Sequence, residues 1–353
     1  MKRRQFLGAV AGMLAGPQLL AAGQNTMKRP IPCGILGLGH AHGLSVLRIL
    51  RESPDYALNG VCEPDPDRRA AFADHELMRD IPWLDQDALL GNPDIQMIAV
   101  ESDVQRLLKL GRAVVDAGKH LYLDKPAGTS LEEWRALLDA ADRQDLLVQM
   151  GYMYRYNPGF DFLRKLVKEG MLGDIYSIHA SMCTDLSPAK RQELLFHPGG
   201  LMLELGCHLI DMIVLLMGEP SKVTSFLRHD TGIDDTLNDN TLAVLEYDNA
   251  LVTVESGARE PNAFASRRFR VVGTEGSFTL MPLEPPAGTL SLRRDWGEYK
   301  KGVQPVPFEN LPRHVADLTD LAACIRGESE FAYPTSHDYA VQRTVLRACG
   351  EDV

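Results

Sequence analysis

The chain is short of paired cysteines, of positive charge and of long apolar runs, and each shortage removes a class of protein. Its six cysteines (Cys33, Cys62, Cys183, Cys207, Cys324, Cys349) lie far apart with no CxxC pair. They therefore make neither a zinc site nor a dense disulfide framework, and read as small buried residues. The net charge of −11 has the wrong sign for a nucleic-acid backbone or an anionic membrane surface, so neither is expected as a partner. There are no repeats or low-complexity segments, so function is sought in a crevice between domains. What remains is ordinary for a globular protein: 45% hydrophobic and 24% charged residues. The 353 residues suffice for two domains, each with its own core.

The first residues read as an export signal rather than as fold. Lys2, Arg3 and Arg4 precede Phe6-Leu7, and an apolar, small-residue run from Ala9 ends at Ala21-Ala22-Gly23. A basic segment, a short apolar segment and a small-residue end mark a signal peptide. The run is too short and too rich in Gly and Ala for a spanning helix. Paired arginines followed by Phe-Leu resemble the twin-arginine signal, which exports proteins already folded. The expectation is a signal and linker at 1–26 and a periplasmic location by way of the twin-arginine machinery. A start at Met27 would instead leave the protein cytoplasmic.

Residues 27–150 read as a dinucleotide-binding domain. The apolar run Ile31–Leu36 suits a buried parallel strand. It leads into Gly37-Leu38-Gly39-His40-Ala41-His42-Gly43 and then a helical pattern through Leu44, Val46, Leu47, Ile49 and Leu50. Gly37 permits the tight turn, and Gly39 lets backbone approach a pyrophosphate at the helix N-terminus. His42 stands where the third glycine of the fingerprint is usual. A second strand, Tyr56–Cys62, ends in Glu63. An acid there accepts from the adenosine ribose hydroxyls and repels a 2′-phosphate, so NAD is expected over NADP. Arg68 and Arg69 follow and soften that discrimination. Strand-like 96–100 and 120–123 alternate with helical 103–118 and 130–144, which points to a parallel sheet covered on both faces. Gly37, Gly39, His40, His42, Glu63 and Lys125 are the expected cofactor contacts.

Two further constellations carry chemistry. Asp124-Lys125-Pro126 closes a strand, and a lysine at the carboxyl end of a parallel strand sits where ligands bind. Pro198-Gly199-Gly200 precedes an apolar helix running from Leu201 to about Met217. On it Glu204, His208 and Asp211 fall at i, i+4 and i+7, one helical stripe. Ionisable groups on a buried helix need partners and favour functional sites. Gly206 within the helix suggests room for a ligand or a close neighbour. Glu204-x-x-x-His208 offers two metal ligands but no clear third, so no metal is expected.

These motifs in this order, with Gly151-x-x-x-Arg155-x-x-Pro158 between them, resemble the glucose–fructose oxidoreductase / inositol dehydrogenase / MocA family. The resemblance covers essentially everything after residue 30. It implies a Rossmann domain followed by an α+β domain (151–353) whose open, mainly antiparallel sheet serves substrate binding and homo-oligomerisation. The family places the Gly151–Pro158 segment after a sixth strand. Lys125 takes the place of the lysine near nicotinamide and substrate, and His208 that of the acid/base. Tyr154, Arg155 and His208 fall to the substrate. Glu204 stands where better-known members have aspartate, and Asp124 where many have glutamate.

The expected activity is hydride transfer between nicotinamide and a hydroxyl-bearing carbon of a sugar or polyol. His208 would move the hydroxyl proton, Lys125 would stabilise charge on that oxygen, and Glu204 and Asp211 would tune both. Glu204 is expected to raise the pKa of His208. Glycoside cleavage through transient oxidation, and cofactor binding without turnover, are the alternatives.

Beyond the helix, 222–228, 241–247, 251–256, 268–272 and 277–281 read as a meander of strands. Pro282–Gly288 reads as a surface loop, and 312–326 and 336–349 as helices. Replacing Arg3 and Arg4 together by lysine is expected to hold the precursor in the cytoplasm, as cell fractionation would show. Efficient export of that variant would remove the twin-arginine assignment.

Overall fold

In the computed structural model, which describes residues 29–353, the first apolar run forms strand β1 (Ile31–Leu36). The twin-arginine segment at 1–26 lies outside the described residues. Strands β2 (Tyr56–Cys62), β3 (Met97–Val100), β4 (His120–Leu123) and β5 (Val148–Met150) complete a five-stranded sheet in the order β2-β1-β3-β4-β5. Every pairing is parallel. All four residues of β3 are buried, as they must be when helices cover both faces. Helix Val104–Asp116 shows how: Leu107, Leu108, Leu110, Val114 and Val115 recur at helical spacing and all are buried. The strand order turns back on either side of β1, so the crevice at the carboxyl ends of β1 and β3 is the ligand position for such a sheet. Glu63, Glu101 and Asp124 directly follow β2, β3 and β4, which brings three carboxylates to that end.

The second sheet has eight strands: β6 (Ile175–Ser181), β7 (Lys222–Arg228), β8 (Asn240–Tyr247), β9 (Ala250–Gly257), β10 (Arg268–Gly273), β11 (Gly276–Leu280), β12 (Ala287–Leu292) and β13 (Gly302–Pro307). Their order is β13-β12-β11-β10-β6-β9-β8-β7. Only the β6–β9 pair is parallel; the others are antiparallel. Burial alternates along β9, β10 and β12, so one face packs on helices and the other is open. Tyr176, Phe226, Leu242, Leu251 and Val303 are exposed apolar side chains on these strands.

Several expectations need correction. The second sheet is not a simple meander, because β6 enters between β9 and β10. The Gly151–Pro158 segment follows the fifth strand of the parallel sheet, not a sixth. Pro282–Gly288 is not a plain surface loop: Leu283 is fully buried, Glu284 reaches Tyr154, and β12 begins at Ala287. Its prolines spoil the strand signature without stopping a short turn from packing inward.

Across the division at residue 151, the chain's last helices pack back onto the first domain. Helix Val315–Ile325 places Leu318, Leu321 and Ala322 in one cluster with Ile31, Cys33, Val46 and Met97 of the first domain. The Tyr56 hydroxyl donates to the Leu318 carbonyl at 2.6 Å. Helix Thr335–Ala348 receives Trp134 Nε1–H at Asp338 O, and its Gln342 accepts from Ala127 N–H. Leu318→Ala is therefore expected to destabilise the parallel-sheet domain by about 2–5 kcal/mol, the usual cost of such a core truncation. A loss below about 1 kcal/mol in chemical denaturation would show that this helix is not part of that core.

Candidate active site

The turn after β1 makes a cradle for a dinucleotide. Gly37 has φ +90°, and a Cβ there would press to 3.0 Å from the Glu101 carbonyl; only glycine holds this turn cheaply. A Cβ on Gly39 would lie 2.6 Å from Arg68 Nη1 and 3.2 Å from Asp103 Oδ1, so the space over Gly39 is filled by the ends of two charged side chains. Helix Gly43–Glu52 begins here with no side-chain cap and no acid in its first turn. Gly43 N–H donates to the His40 carbonyl at 3.0 Å, and the uncapped helix end directs its positive dipole toward an anion. At the end of β2 the buried Glu63 accepts from Leu38 N–H at 2.6 Å and Asp65 N–H at 2.9 Å. Arg68 Nη1 stands 3.6 Å from it. These residues fit a nicotinamide dinucleotide: glycine backbone and a helix N-terminus for the pyrophosphate, with Glu63 at the end of β2 holding the turn by accepting two backbone amides. His40 and His42 do not face outward along this turn. Both bring Nδ1 to Asp124, His42 at 3.2 Å and His40 in direct contact.

The reacting groups meet across the two domains. The Lys125–Pro126 peptide is cis, and Lys125 is buried. Its ammonium donates to the Glu204 main-chain oxygen at 3.0 Å and pairs with Glu204 Oε1 at 3.3 Å. Burial works against the Glu204 carboxylate, but Lys125 and then His40 hold its pKa down at about 2. His197 Nδ1 lies 3.9 Å from Glu204 Oε2. His208 is caged between Tyr152 and Tyr154, ring centroids 5.9 and 5.7 Å away. The Tyr154 hydroxyl meets Glu284 Oε2 at 3.4 Å, and Arg313 closes on the same carboxylate.

Glu204, His208 and Asp211 do not share one helical stripe. Residues Met202–Gly206 form a π-helical turn and only Cys207–Met217 is α-helix. The wider turn carries Glu204 to Lys125 and leaves Asp211 elsewhere. Gly200, at φ +52°, starts this turn where any Cβ would overlap the Asn238 carbonyl. Gly206 makes room for Met202 Sδ rather than for a ligand. The expectation that Glu204 raises the pKa of His208 is also overturned. Burial above all, then Lys125, His42 and Arg313, push the imidazole well below its usual value.

Two assigned roles change with the geometry. Arg155, expected on the substrate, is fully buried, as is Asp211, expected in catalysis. Arg155 Nη2 pairs with Asp211 at 2.7 Å and with Asp338 at 2.5 Å, and His337 Nε2 lies 3.3 Å from Asp211. Both are positioning residues, sealed away from any ligand. Sequence reasoning missed His197 and Tyr152. His197 directly precedes the Pro198-Gly199-Gly200 motif, a signal available in the sequence; Tyr152 had none.

The fold and this site define a two-domain oxidoreductase that carries a Rossmann dinucleotide-binding domain. The model of the "Oxidoreductase family, NAD-binding Rossmann fold" matches residues 31–152, and that of the "GFO/IDH/MocA C-terminal domain" matches residues 160–279. The chain belongs to the GFO/IDH/MocA family of oxidoreductases. It is similar to the uncharacterized oxidoreductase YrbE of Bacillus subtilis, 27% identical, covering 71% of this chain and 74% of that protein. Scyllo-inositol 2-dehydrogenase (NAD(+)) of B. subtilis is 25% identical over the same shares, 71% and 74%. A crystal structure of a putative NADPH-dependent oxidoreductase from Desulfitobacterium hafniense superposes with a TM-score of 0.79 at 18% identity, covering 92% of this chain and 96% of that one. At that identity it shows the shared fold.

His197 and His208 make stability depend on pH, and His42 and His120, also lowered by burial, act in the same direction. Burial lowers His197 to about 4, Glu204 offsetting part of the effect, and His208 lies well below its ordinary 6.5. Between about pH 6.5 and 4 the unfolded chain binds more protons than the folded one. Stability therefore rises with pH across this window and is lost as pH falls through it. Thermal denaturation between pH 7 and pH 4 should show this fall, and His197→Gln should flatten it. An unchanged slope in that variant would mean His197 is not held neutral.

Proposed function

We propose that the protein is an NAD(H)-dependent oxidoreductase acting on a hydroxyl-bearing carbon of a sugar, polyol or related small molecule. The observation that carries this reading is the Lys125–Glu204 pair beside the caged His208, at the carboxyl end of β4. Around it Glu204 Oε2, His197 Nδ1, His208 Nδ1 and the Tyr152 hydroxyl are buried without hydrogen bonds, the first two 3.9 Å from each other. So many polar atoms without hydrogen bonds in one place suit a ligand with several hydroxyl groups. The substrate of scyllo-inositol 2-dehydrogenase is of this kind.

When bound, the nicotinamide supplies the hydride acceptor or donor. His208, neutral at neutral pH, takes the hydroxyl proton during oxidation and returns it in the reverse direction. Its depressed pKa favours the neutral, proton-accepting form. Lys125 places its ammonium on the oxygen where charge develops, and Glu204 fixes that ammonium by accepting its hydrogen bond. Tyr152 and Tyr154 exclude water and orient the imidazole. Arg155 and Asp211 hold the site helix in place. Glu63 favours NAD, although Arg68 beside it reduces the penalty on a 2′-phosphate. The twin-arginine segment supports a periplasmic enzyme exported after folding. The exposed apolar side chains of the second sheet support a homo-oligomer formed through that face.

Purified protein supplied with NAD or NADP and a panel of polyols and sugars tests the reading. Cofactor reduction is expected with NAD preferred. His208→Ala is expected to lose about 10²–10⁴-fold in turnover, and Lys125→Met to lose kcat with cofactor affinity kept. Cofactor binding with no reduction across the panel would make the protein a binder. Near-full activity of His208→Ala would make the histidine structural, and tighter binding of NADP in calorimetry would reverse the cofactor preference.

A further inference from the structure

The turn after β1 and the end of β4 bring together three side chains that the hydride-transfer reading does not use. His40 and His42 both direct Nδ1 at the Asp124 carboxylate, His42 at 3.2 Å and His40 in direct contact. One ligand atom from each lies within 4.8 Å of the other two, and among the described residues no other three His, Cys, Asp or Glu side chains are grouped in this way. We propose that His40, His42 and Asp124 form a site for one divalent transition-metal ion of the zinc(II) class.

The donor set argues for that class. Two imidazoles and one carboxylate suit zinc and its neighbours, whereas magnesium and calcium seek oxygen throughout. Three protein ligands leave a coordination position open, as catalytic rather than structural zinc sites do. A second observation points the same way. Glu101, at the end of β3, is fully buried against Asp124, and no backbone or side-chain donor from elsewhere reaches its carboxyl oxygens. His40 Nε2 is likewise buried and unpartnered. Two carboxylates are therefore gathered at the ends of β3 and β4, while the nearest lysine, Lys125, is committed to Glu204. A dication held by His40, His42 and Asp124 would have the Glu101 carboxyl group beside it as a further oxygen donor. Access is narrow but present: the Asp124 side chain is 1% exposed, that of His42 19%.

No sequence spacing gives this site away. His42 and Asp124 are 82 residues apart, and a ligand search starting from Glu204 and His208 finds no third group. The proposal does not rest on the hydride-transfer reading, because metal alone tests it.

Protein stripped with a chelator and dialysed should take up one equivalent of Co²⁺ with visible d–d absorption, which Zn²⁺ then displaces. His40→Gln and His42→Gln should each weaken Co²⁺ binding by more than the roughly 10- to 100-fold typical of losing an outer-shell partner. His229→Gln is the control, since His229 also lies near two carboxylates, Asp235 and Asp239; it should bind Co²⁺ as the native protein does. No stoichiometric uptake by folded native protein would overturn the proposal, and so would uptake unchanged in both His40 and His42 variants. Should those variants fail to fold, X-ray absorption of the native Co²⁺ form decides. Two imidazoles in the coordination shell support the site, and an all-oxygen shell rejects it. Protein that takes up Co²⁺ in this way yet reduces no NAD keeps the metal site and loses the dehydrogenase. The reverse result keeps the enzyme and rejects the metal.

Discussion

A single buried guanidinium holds the working parts together. Arg155 sits in the short turn after β5, pairs with Asp211 on the site helix and Asp338 on the C-terminal helix, and lies against the rings of Tyr152 and Tyr333. Its main-chain oxygen accepts from the Tyr333 hydroxyl. One cation thereby fixes three segments that are far apart in the chain. Removing one side of such a buried pair typically costs about 3–5 kcal/mol, because the charge left behind has no water to turn to. The cost enforces register: the site helix cannot slide without separating Asp211 from Arg155.

With the α-helical part pinned, the π-helical turn before it gains its meaning. An unbroken α-helix would give Glu204, His208 and Asp211 one common face, and one of them would miss its partner. The wider turn gives each ionisable group its own environment. Glu204 meets Lys125, Asp211 meets Arg155, and His208 is left among aromatic rings and cations. The electrostatics then follow. The two carboxylates stay charged because cations outweigh their burial. The imidazole stays neutral because burial and cations act on it in the same direction. Neutrality suits a group that must accept a proton.

The carboxyl end of the parallel sheet is the other organising feature. β2, β3 and β4 each run directly into an acidic residue, and these three acids lie in three different surroundings. Glu63 takes backbone amides, Asp124 takes two histidines, and Glu101 lies buried against Asp124. Such an end attracts cationic groups. Arg68 turns toward it as a cation and His40 and His42 as imidazoles, so the turn that cradles a pyrophosphate is also a turn that presents imidazoles.

The sequence by itself determined the local elements and the family. β1, β2, β4 and β7 have the limits that their apolar runs and flanking turns predict, because a strand buried on one or both faces writes its period into consecutive residues. The glycine turn, Glu63, Lys125, Glu204 and His208 were legible because each lies in a short contiguous motif. β6, β12 and β13 were not, since their side chains are mixed and, in β13, prolines interrupt them, and only pairing with neighbours makes them strands. Tertiary structure alone decided that Arg155 and Asp211 are clamps and that the last helices return to the first domain. It alone turned the effect on His208 from a raised to a lowered pKa, and brought His40 and His42 to Asp124. These are contacts between distant segments, and burial, charge balance and a shift of helical register are set by neighbours in space that no local pattern encodes.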